Sequence, residues 1–403
     1  MTISPSDTES RLALYFERIG DILGHKKRRE SFATYAMGLL GDGARKSVEP
    51  IACRACGDPS RADALHQKLL HFVANSDWSD RDVRRTAASY AIEEMTRRSP
   101  IRTWILDDTG FLKQGEDSVG VQRQYTGSAG KITNCQIGVS LSVASDEAQV
   151  PIDFELFLPK SWAEEPERRK AARIPDAVVF KTKIELAIDM ITRAVDDKVP
   201  GDIVLADSFY GDAVQLRDVI RCFGLDYALG VSSDTTLHVV DGRGRRTESE
   251  SAKKIALRLG RGAFRKVAWR EGTKQALSSH FAFRRVHVAN KGAVDRAALW
   301  LVVEWPESQD EPTRYSLTTL RERMSKKQIV RLLKERYRTE VVYEEMKGNL
   351  GLDHFEGRSF VGWHHHVSVA LCCYAFIASE RLRHFPPSQR STIHEAHAIS
   401  SAA

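Results

Sequence analysis

Three acidic residues, far apart in the sequence, stand where their side chains could meet. Asp107 ends the short apolar run "TWILDD", Asp207 ends the apolar run "DIVLAD", and Glu340 lies in the helical stretch "LLKERYRTEVVYEEMKGNLGLDHF". Converging carboxylates repel one another unless divalent cations lie between them. Oxygen ligands favour Mg²⁺ or Mn²⁺ over zinc. Two such ions about 4 Å apart can activate a water and stabilise the leaving oxygen of a phosphodiester.

Two basic residues flank Glu340 at helical spacing. At about 100° per residue, Arg336 and Lys347 both lie close to the direction of Glu340, and Glu344 shares the stripe. One interpretation is a solvated face with weak ion-pair support. The other is a cation-binding carboxylate between two residues that bind an anion. This stretch alone leaves both open.

The elements after Pro100 would bring the two aspartates together. Three strands, a helix, the buried strand that ends at Asp207, a helix and another strand follow in order. This is the order of the ribonuclease H-like α/β core, which has helices on the faces of a mixed sheet. The ends of its first and central strands are neighbours. Adjacent strand residues point to opposite faces, so Asp107 and Asp108 compete for the first acidic position.

Changes in hydrophobic periodicity and in composition divide the chain into predicted domains. A helical N-terminal domain, a core interrupted by a β-rich insertion, and a polar tail account for the whole sequence. The predicted bounds are 1–98 for the helical domain, 99–231 for the first part of the core, 232–319 for the insertion, 320–385 for the second part of the core with the helices carrying Glu340, and 386–403 for a flexible tail.

Charge is unevenly distributed. The net charge of +6 is modest for 403 residues. Between Arg243 and Arg285, however, 13 Lys or Arg stand against only three acids, which gives a local charge of +10 inside the predicted insertion. Such a basic segment indicates a surface that faces a polyanion. The alternative is a solvated loop region.

Several classes of protein are disfavoured. Six cysteines are not a disulfide framework, and the CxxC at Cys53 has no second pair nearby to complete a zinc site. The consecutive histidines 364–366 point to different helix faces, which favours packing or contact with backbone phosphate over chelation of one ion. The polar N-terminus predicts no signal peptide, and no run reaches the roughly 18 apolar residues of a membrane span. We expect a soluble protein of a reducing cytoplasm.

Three ordered motifs resemble a known family. The strings "LDDTGFLKQGEDSVGVQRQYTG", "LADSFYGD" and "RYRTEVVYEEMKGNLGLDHFEGRSFVGWHHH" are similar to the DDE transposases of bacterial insertion sequences, over residues from about 30 to 385. The resemblance is to the branch with a Tyr-Arg-Glu-Lys signature, whose Arg and Lys spacings Arg336 and Lys347 satisfy. The signature Tyr is replaced by Leu333, which puts one DNA contact in doubt. Tyr337 cannot substitute for the signature Tyr, because on a helix it points about 60° away from the direction of Glu340.

The resemblance implies roles for single residues. Asp107, Asp207 and Glu340 would be catalytic and hold two Mg²⁺ or Mn²⁺ ions. Arg336 and Lys347 would hold phosphates of the transposon end. The family's first motif, Asp-x-Thr, favours Asp107 over Asp108. The insertion would contact the end being cut, and Trp269 is a candidate for stacking on a flipped base, whereas residues 300 and 305, both tryptophan, are expected in the core.

The function implied is DNA transposition. The chain would bind terminal inverted repeats, cleave double-stranded DNA at the element ends and join a 3′-hydroxyl to target DNA, by a cut-and-paste route with hairpin ends. A homodimer in the DNA complex, at the nucleoid in the cytoplasm, is expected. Two alternatives stay open. One is a structure-selective nuclease or resolvase on the same core, which would not need the insertion. The other is a non-catalytic DNA-binding relic, although the three acids and their basic partners remain.

Overall fold

A computed structural model describes residues 5–270, 276–289 and 298–384. Within these ranges the chain forms fourteen α-helices and twelve strands. The predicted tail 386–403 lies outside them, as do Glu271 and Lys274 of the basic segment. The helices before the first strand are α1 (Pro5–Leu23), α2 (Lys26–Leu40), α3 (Val48–Ala55), α4 (Ala62–Ala74) and α5 (Asp80–Arg98).

Strands and helices mix from Thr103 onward. The next elements are β1 (Thr103–Leu112), β2 (Gln122–Thr126), β3 (Lys131–Ala144), β4 (Gln149–Phe157), α6 (Lys160–Ala163), α7 (Pro166–Ala171), α8 (Lys183–Asp196), β5 (Ile203–Ala206), α9 (Ser208–Gly211), α10 (Val214–Cys222) and β6 (Asp226–Val231). The predicted insertion contains β7 (Thr236–Val240), β8 (Arg246–Ser251), α11 (Ala252–Leu259), β9 (Arg265–Arg270), β10 (Leu277–Val288), β11 (Leu299–Glu304) and β12 (Arg314–Thr318). The last helices are α12 (Lys326–Glu335), α13 (Tyr337–Leu350) and α14 (Phe360–His384).

The chain divides into two compact units. The first unit comprises residues 1–101, 108–186 and 339–403, and the second unit comprises 102–107 and 187–338. The divisions therefore fall inside β1, α8 and α13. The predicted domain bounds stay predictions. The predicted fold class, a ribonuclease H-like α/β fold with a β-rich insertion and a helical N-terminal region, is confirmed.

The core of the first unit is built around α14. This helix packs against α5, α2 and β4. By length and composition α14 could cross a membrane, but 83% of its most apolar window is buried inside the protein. A helix that is apolar on every face is expected in such a core position. Cys372 and Cys373 are buried within it.

The three consecutive histidines of α14 are buried packing residues. The Nε2 atom of His364 lies 3.2 Å from Oε2 of Glu155. His365 hydrogen-bonds two backbone carbonyls, and Nδ1 of His366 lies 2.8 Å from the hydroxyl of Tyr35. All three are nearly inaccessible to solvent. Burial therefore supports the packing interpretation and excludes contact with backbone phosphate.

The second unit is a mixed sheet. The first half of β1 pairs in parallel with β5, and β5 pairs in parallel with β6. The strands of the insertion continue this sheet, because β12 pairs antiparallel with β6 and is followed by β11, β10, β7 and β8. β9 pairs with β10 beside this path. The insertion is thus an extension of the core sheet by strand pairing.

The helical stretch around Glu340 differs from the prediction of one continuous helix. Helix α12 ends at Glu335, Arg336 occupies a turn, and α13 begins at Tyr337. Helix α13 continues through Gly348 and ends at Leu350. Gly351 adopts a φ of 63°, which a glycine accommodates without strain, and its N–H donates to the carbonyl of Lys347.

Candidate active site

Asp107 was predicted to end the first strand, but it lies midway along β1, which continues to Leu112. Asp207 directly follows the carboxyl end of β5 in the second unit. In the ladder between β1 and β5, Ile105 stands opposite Leu205. The paired residues of this ladder end there, and Asp107 and Asp207 each follow two residues later in the chain. The buried apolar residues of both strands hold this pairing in the core. The carboxyl edge of a parallel pair is where α/β sheets commonly bind ligands.

The turn that carries Asp207 is fixed by its own side chain and by two glycines. Its Oδ1 accepts hydrogen bonds from the backbone N–H groups of Phe209 (3.0 Å) and Tyr210 (3.3 Å), and so caps α9. A Cβ at Gly230 would come within 3.0 Å of the carbonyl carbon of Asp207. A Cβ at Gly211 would come within 1.8 Å of the carbonyl oxygen of Gly230. Glycine at both positions lets β6 pack directly against this turn.

The adjacent acids of β1 have different partners. In the second unit, Oδ2 of the buried Asp107 lies 3.1 Å from Nη1 of Arg336. In the first unit, Oδ2 of Asp108 lies 2.7 Å from Nζ of Lys183. Opposite pleat directions explain why neighbouring carboxylates reach different cations.

Glu340 is exposed in the first turn of α13. The buried face of this helix is anchored in the first unit by two side-chain hydrogen bonds: Nε2 of Gln149 donates to Oγ1 of Thr339 (2.7 Å), and the hydroxyls of Ser140 and Tyr343 lie 2.6 Å apart. The opposite face therefore carries Glu340 outward. A carboxylate in the first turn is also favoured by the helix dipole.

Lys347 lies on the accessible side of α13 and is held by neutral oxygens. Its Nζ donates to Oγ1 of Thr109 (2.8 Å), to the carbonyl of Gly110 (2.8 Å) and to Oγ of Ser128 (3.2 Å). Burial lowers the pKa of Lys347, with a smaller opposing effect from the charge of Asp353. The ammonium is therefore half-buried without a carboxylate in direct hydrogen bond to it.

The predicted site residues are divided between the two units. Asp107, Asp207 and Arg336 belong to the second, and Glu340 and Lys347 to the first. Over the described ranges (5–270, 276–289 and 298–384), no group of three or more His, Cys, Asp or Glu is arranged so that it could hold a metal ion. The CxxC cysteines belong to no such group either.

A cavity of about 420 Å³ in the second unit borders Asp207. The insertion contributes Phe281 and Glu304 to its lining, and the end of α12 contributes Leu333 and Lys334. Leu333, which replaces the signature Tyr, thus lies on the wall of a cavity that begins at an acidic strand end. The cavity has the size of typical small-ligand pockets.

Trp269 is half-buried in a cluster of aromatic and charged side chains. Nζ of Lys334 lies 4.7 Å from the centre of its ring, and the ring of Phe281 meets it edge-on at 6.0 Å. Trp305 is buried, as predicted, whereas Trp300 is only half-buried. Trp269 thus keeps part of its ring accessible.

Sequence reasoning missed Lys334, Glu304 and Ser128. Nζ of Lys334 lies 2.6 Å from Oε2 of the buried Glu304, far away in the sequence. Nothing local distinguishes Lys334 from the other lysines of its helix. Ser128 had a weak signal, because it lies in the glycine-flanked turn "TGSAGK".

Comparison with known proteins agrees with this arrangement. Residues 18–276 match a protein family described as DDE superfamily endonuclease. The chain is also 27% identical, over 212 residues, to a probable transposase for insertion sequence element IS701 from Microchaete diplosiphon. That match covers 52% of this chain and 51% of the relative, so the chain spans about half the length of the curated relative it matches. Because the family match covers well over half of the chain, the chain belongs to the DDE superfamily of endonucleases.

Proposed function

We propose that the protein is a DNA transposase of an insertion sequence. It would bind the terminal inverted repeats, cleave double-stranded DNA at the element ends and join them to target DNA. The observation that carries this proposal is that Asp107 and Asp207 each follow the paired parallel segments of β1 and β5 by two residues, in a chain of this family. The likeness to a probable insertion-sequence transposase supports transposition over a repair or resolving nuclease.

Divalent metal ions are used by endonucleases of this superfamily. The donor set fits them, because all three proposed ligands are carboxylates, and Asp107 and Asp207 each follow the paired segments of two neighbouring parallel strands by two residues. We propose Asp107, Asp207 and Glu340 as the ligands of Mg²⁺ or Mn²⁺. When bound, two ions would activate the attacking oxygen and stabilise the leaving oxygen of the phosphodiester.

We propose Asp107 rather than Asp108 as the first acid because the two carboxylates have different surroundings. Asp108 is held by Lys183 of the first unit, whereas Asp107 belongs to the second unit together with Asp207. Arg336, now paired with Asp107, would exchange this carboxylate for a DNA phosphate.

The insertion is proposed to hold the transposon end. Its Phe281 and Glu304 line the cavity beside Asp207, and Trp269 presents part of its ring nearby in the same cluster as Lys334. An accessible aromatic among cations suits a base turned out of the duplex. A cut-and-paste route with hairpin ends, a homodimer on DNA and a cytoplasmic, nucleoid-associated location complete the proposal.

Cleavage of the DNA that flanks the gene tests this function. Duplexes carrying the candidate inverted repeats would be incubated with the protein and Mg²⁺. Replacing Asp107, Asp207 or Glu340 singly by Ala should reduce cleavage by about 10³-fold or more while DNA binding persists.

Asp108→Ala is the matched control for this experiment. It removes a carboxylate of the same strand and should leave most cleavage intact. Loss of cleavage with D108A but not with D107A would reverse the assignment of the first acid. Cleavage of branched duplexes but not of repeat ends would favour a structure-selective nuclease.

A further inference from the structure

The hairpin formed by β2 and β3 presents an exposed apolar pair. Tyr125 and Ile132 stand directly opposite each other in the ladder. Their side chains are 64% and 61% exposed, although β3 is fully buried from Cys135 onward. An aromatic and an aliphatic side chain left paired in solvent mark a surface for interaction.

The same hairpin is basic and contains no acid. Between Gln122 and Asn134 the sequence holds Arg123 and Lys131, both exposed, and neither Asp nor Glu. Arg123 lies two residues from Tyr125, so both project from the same face of β2. Cations beside an accessible aromatic, with no neighbouring carboxylate in the hairpin, match the chemistry of a nucleic-acid backbone and its bases.

The tip of the hairpin is fixed to β1 and α13 of the first unit. Oγ of Ser128 lies 3.2 Å from Nζ of Lys347 and 3.2 Å from Oγ1 of Thr109, and accepts from the N–H of Gly110 at 3.3 Å. A Cβ at Gly110 would come within 2.0 Å of Oγ1 of Thr126. The glycine therefore lets the hairpin lie tightly against the strand that follows Asp107.

We infer that this hairpin is a second DNA-contacting surface, separate from the insertion. Arg123 and Lys131 bind phosphates of the duplex, and Tyr125 packs against the sugars between them. Ser128 sets the hairpin in register with the phosphate held by Lys347. The inference rests on the proposed function, because DNA must be the substrate.

Salt-dependent binding of a DNA duplex tests the inference. Affinity for a fluorescent duplex carrying the repeat would be measured by anisotropy at several salt concentrations. The double variant R123A/K131A should flatten the dependence of log affinity on log salt by about two units of slope. The matched control K170A/K198A removes two exposed lysines of other surfaces and should leave the slope unchanged.

The aromatic contact is tested separately. Tyr125→Ala should weaken binding about tenfold, as expected for the loss of one aromatic contact with the DNA backbone. Val179→Ala, which truncates a side chain that is 61% exposed elsewhere, should not change it. In the unsubstituted chain, bound duplex should protect Lys131 from amine-modifying reagents.

The outcomes separate the inference from the proposed function. An unchanged slope for R123A/K131A, with Lys131 equally reactive in both states, would overturn the hairpin's role while transposition stands. A change of oligomeric state on Tyr125→Ala with unaltered DNA affinity would assign the hairpin to contact with a second copy instead. Failure of the unsubstituted chain to bind any duplex would remove the proposed function, and the inference with it.

Discussion

The cations beside the acidic strand ends differ from the cation of α13 in what holds them. In the second unit, Arg336 is paired with Asp107 and Lys334 with Glu304. In the first unit, Lys347 is held by hydroxyl and carbonyl oxygens. A guanidinium or ammonium in an ion pair must give up one anion before it binds another. Lys347 has no carboxylate to displace among its described hydrogen-bond partners, and a phosphate would replace one of the three neutral oxygens that its N–H groups now contact.

The difference shows that membership of one sequence signature does not determine whether a basic side chain is paired with a carboxylate. Arg336 and Lys347 belong to one motif, yet one is neutralised by a carboxylate and the other is only solvated by neutral dipoles. We therefore expect binding of DNA through Arg336 to be linked to release of Asp107. Binding through Lys347 should be independent of the aspartates.

The largest effect is expected from breaking the most buried of these pairs. Glu304→Gln leaves the Lys334 ammonium without its counter-charge, and should lower the free energy of unfolding by about 3 kcal/mol. Urea denaturation would measure this loss. The double variant E304Q/K334M removes the stranded charge and should recover much of it. A loss below about 0.5 kcal/mol would mean that solvent screens the pair.

Replacing Lys347 and Arg336 one at a time tests whether their different partners affect DNA binding. Lys347→Met should weaken DNA binding about tenfold and flatten the salt dependence by about one unit of slope. Arg336→Met should weaken binding only about threefold, because its loss of a phosphate contact is offset by the ion pair it no longer has to break. Anisotropy titrations at several salt concentrations would measure both. Equal losses would show that the pairing with Asp107 has no energetic consequence for binding.

A smaller effect is expected from pH. Burial lowers the pKa of Lys347 below the ordinary lysine value of 10.5. The folded protein therefore releases this proton at a lower pH than the unfolded chain does. Between the two pKa values the unfolded chain binds more protons, so stability rises with pH there while the Lys347 contribution to DNA binding is lost.

The affinity difference between the parent and Lys347→Met isolates this titration. It should be constant near neutral pH and shrink before pH reaches the ordinary lysine range. A difference that persists through that range would mean that bound phosphate restores the pKa of the ammonium.

Much of the fold could be predicted because it is encoded in apolar periodicity. The buried runs before Asp107 and Asp207 specify two core strands, and the predicted strand order makes their ends neighbours. Strand β2 escaped prediction because Tyr125 is its only large apolar residue. It forms by pairing with β3, which no local pattern reveals. Strand β8 and helix α11 were also missed, the strand because its sequence, "RTESES", has no apolar face.

The candidate site was less accessible to sequence reasoning. The residues around Arg336 include neither Gly nor Pro, so local propensity favours one continuous helix, and Arg336 keeps helical backbone angles although α12 ends before it. The partners of Lys334 and Lys347 are distant in sequence and chemically ordinary. Only the folded chain identifies Glu304 or Ser128 among the many similar residues.

The pairing of β12 with β6 has a consequence for solubility. Tyr315 stands opposite Val231 and Leu317 opposite Leu229, so the last strand of the insertion covers a hydrogen-bonding edge of the core. A shortened chain lacking residues 232–319 would expose that edge, with its unpaired N–H and C=O groups, next to a strand of buried apolar residues. Exposed edges of this kind recruit other chains. We therefore expect the shortened chain to aggregate, because pairing with β12 is what covers this edge of β6.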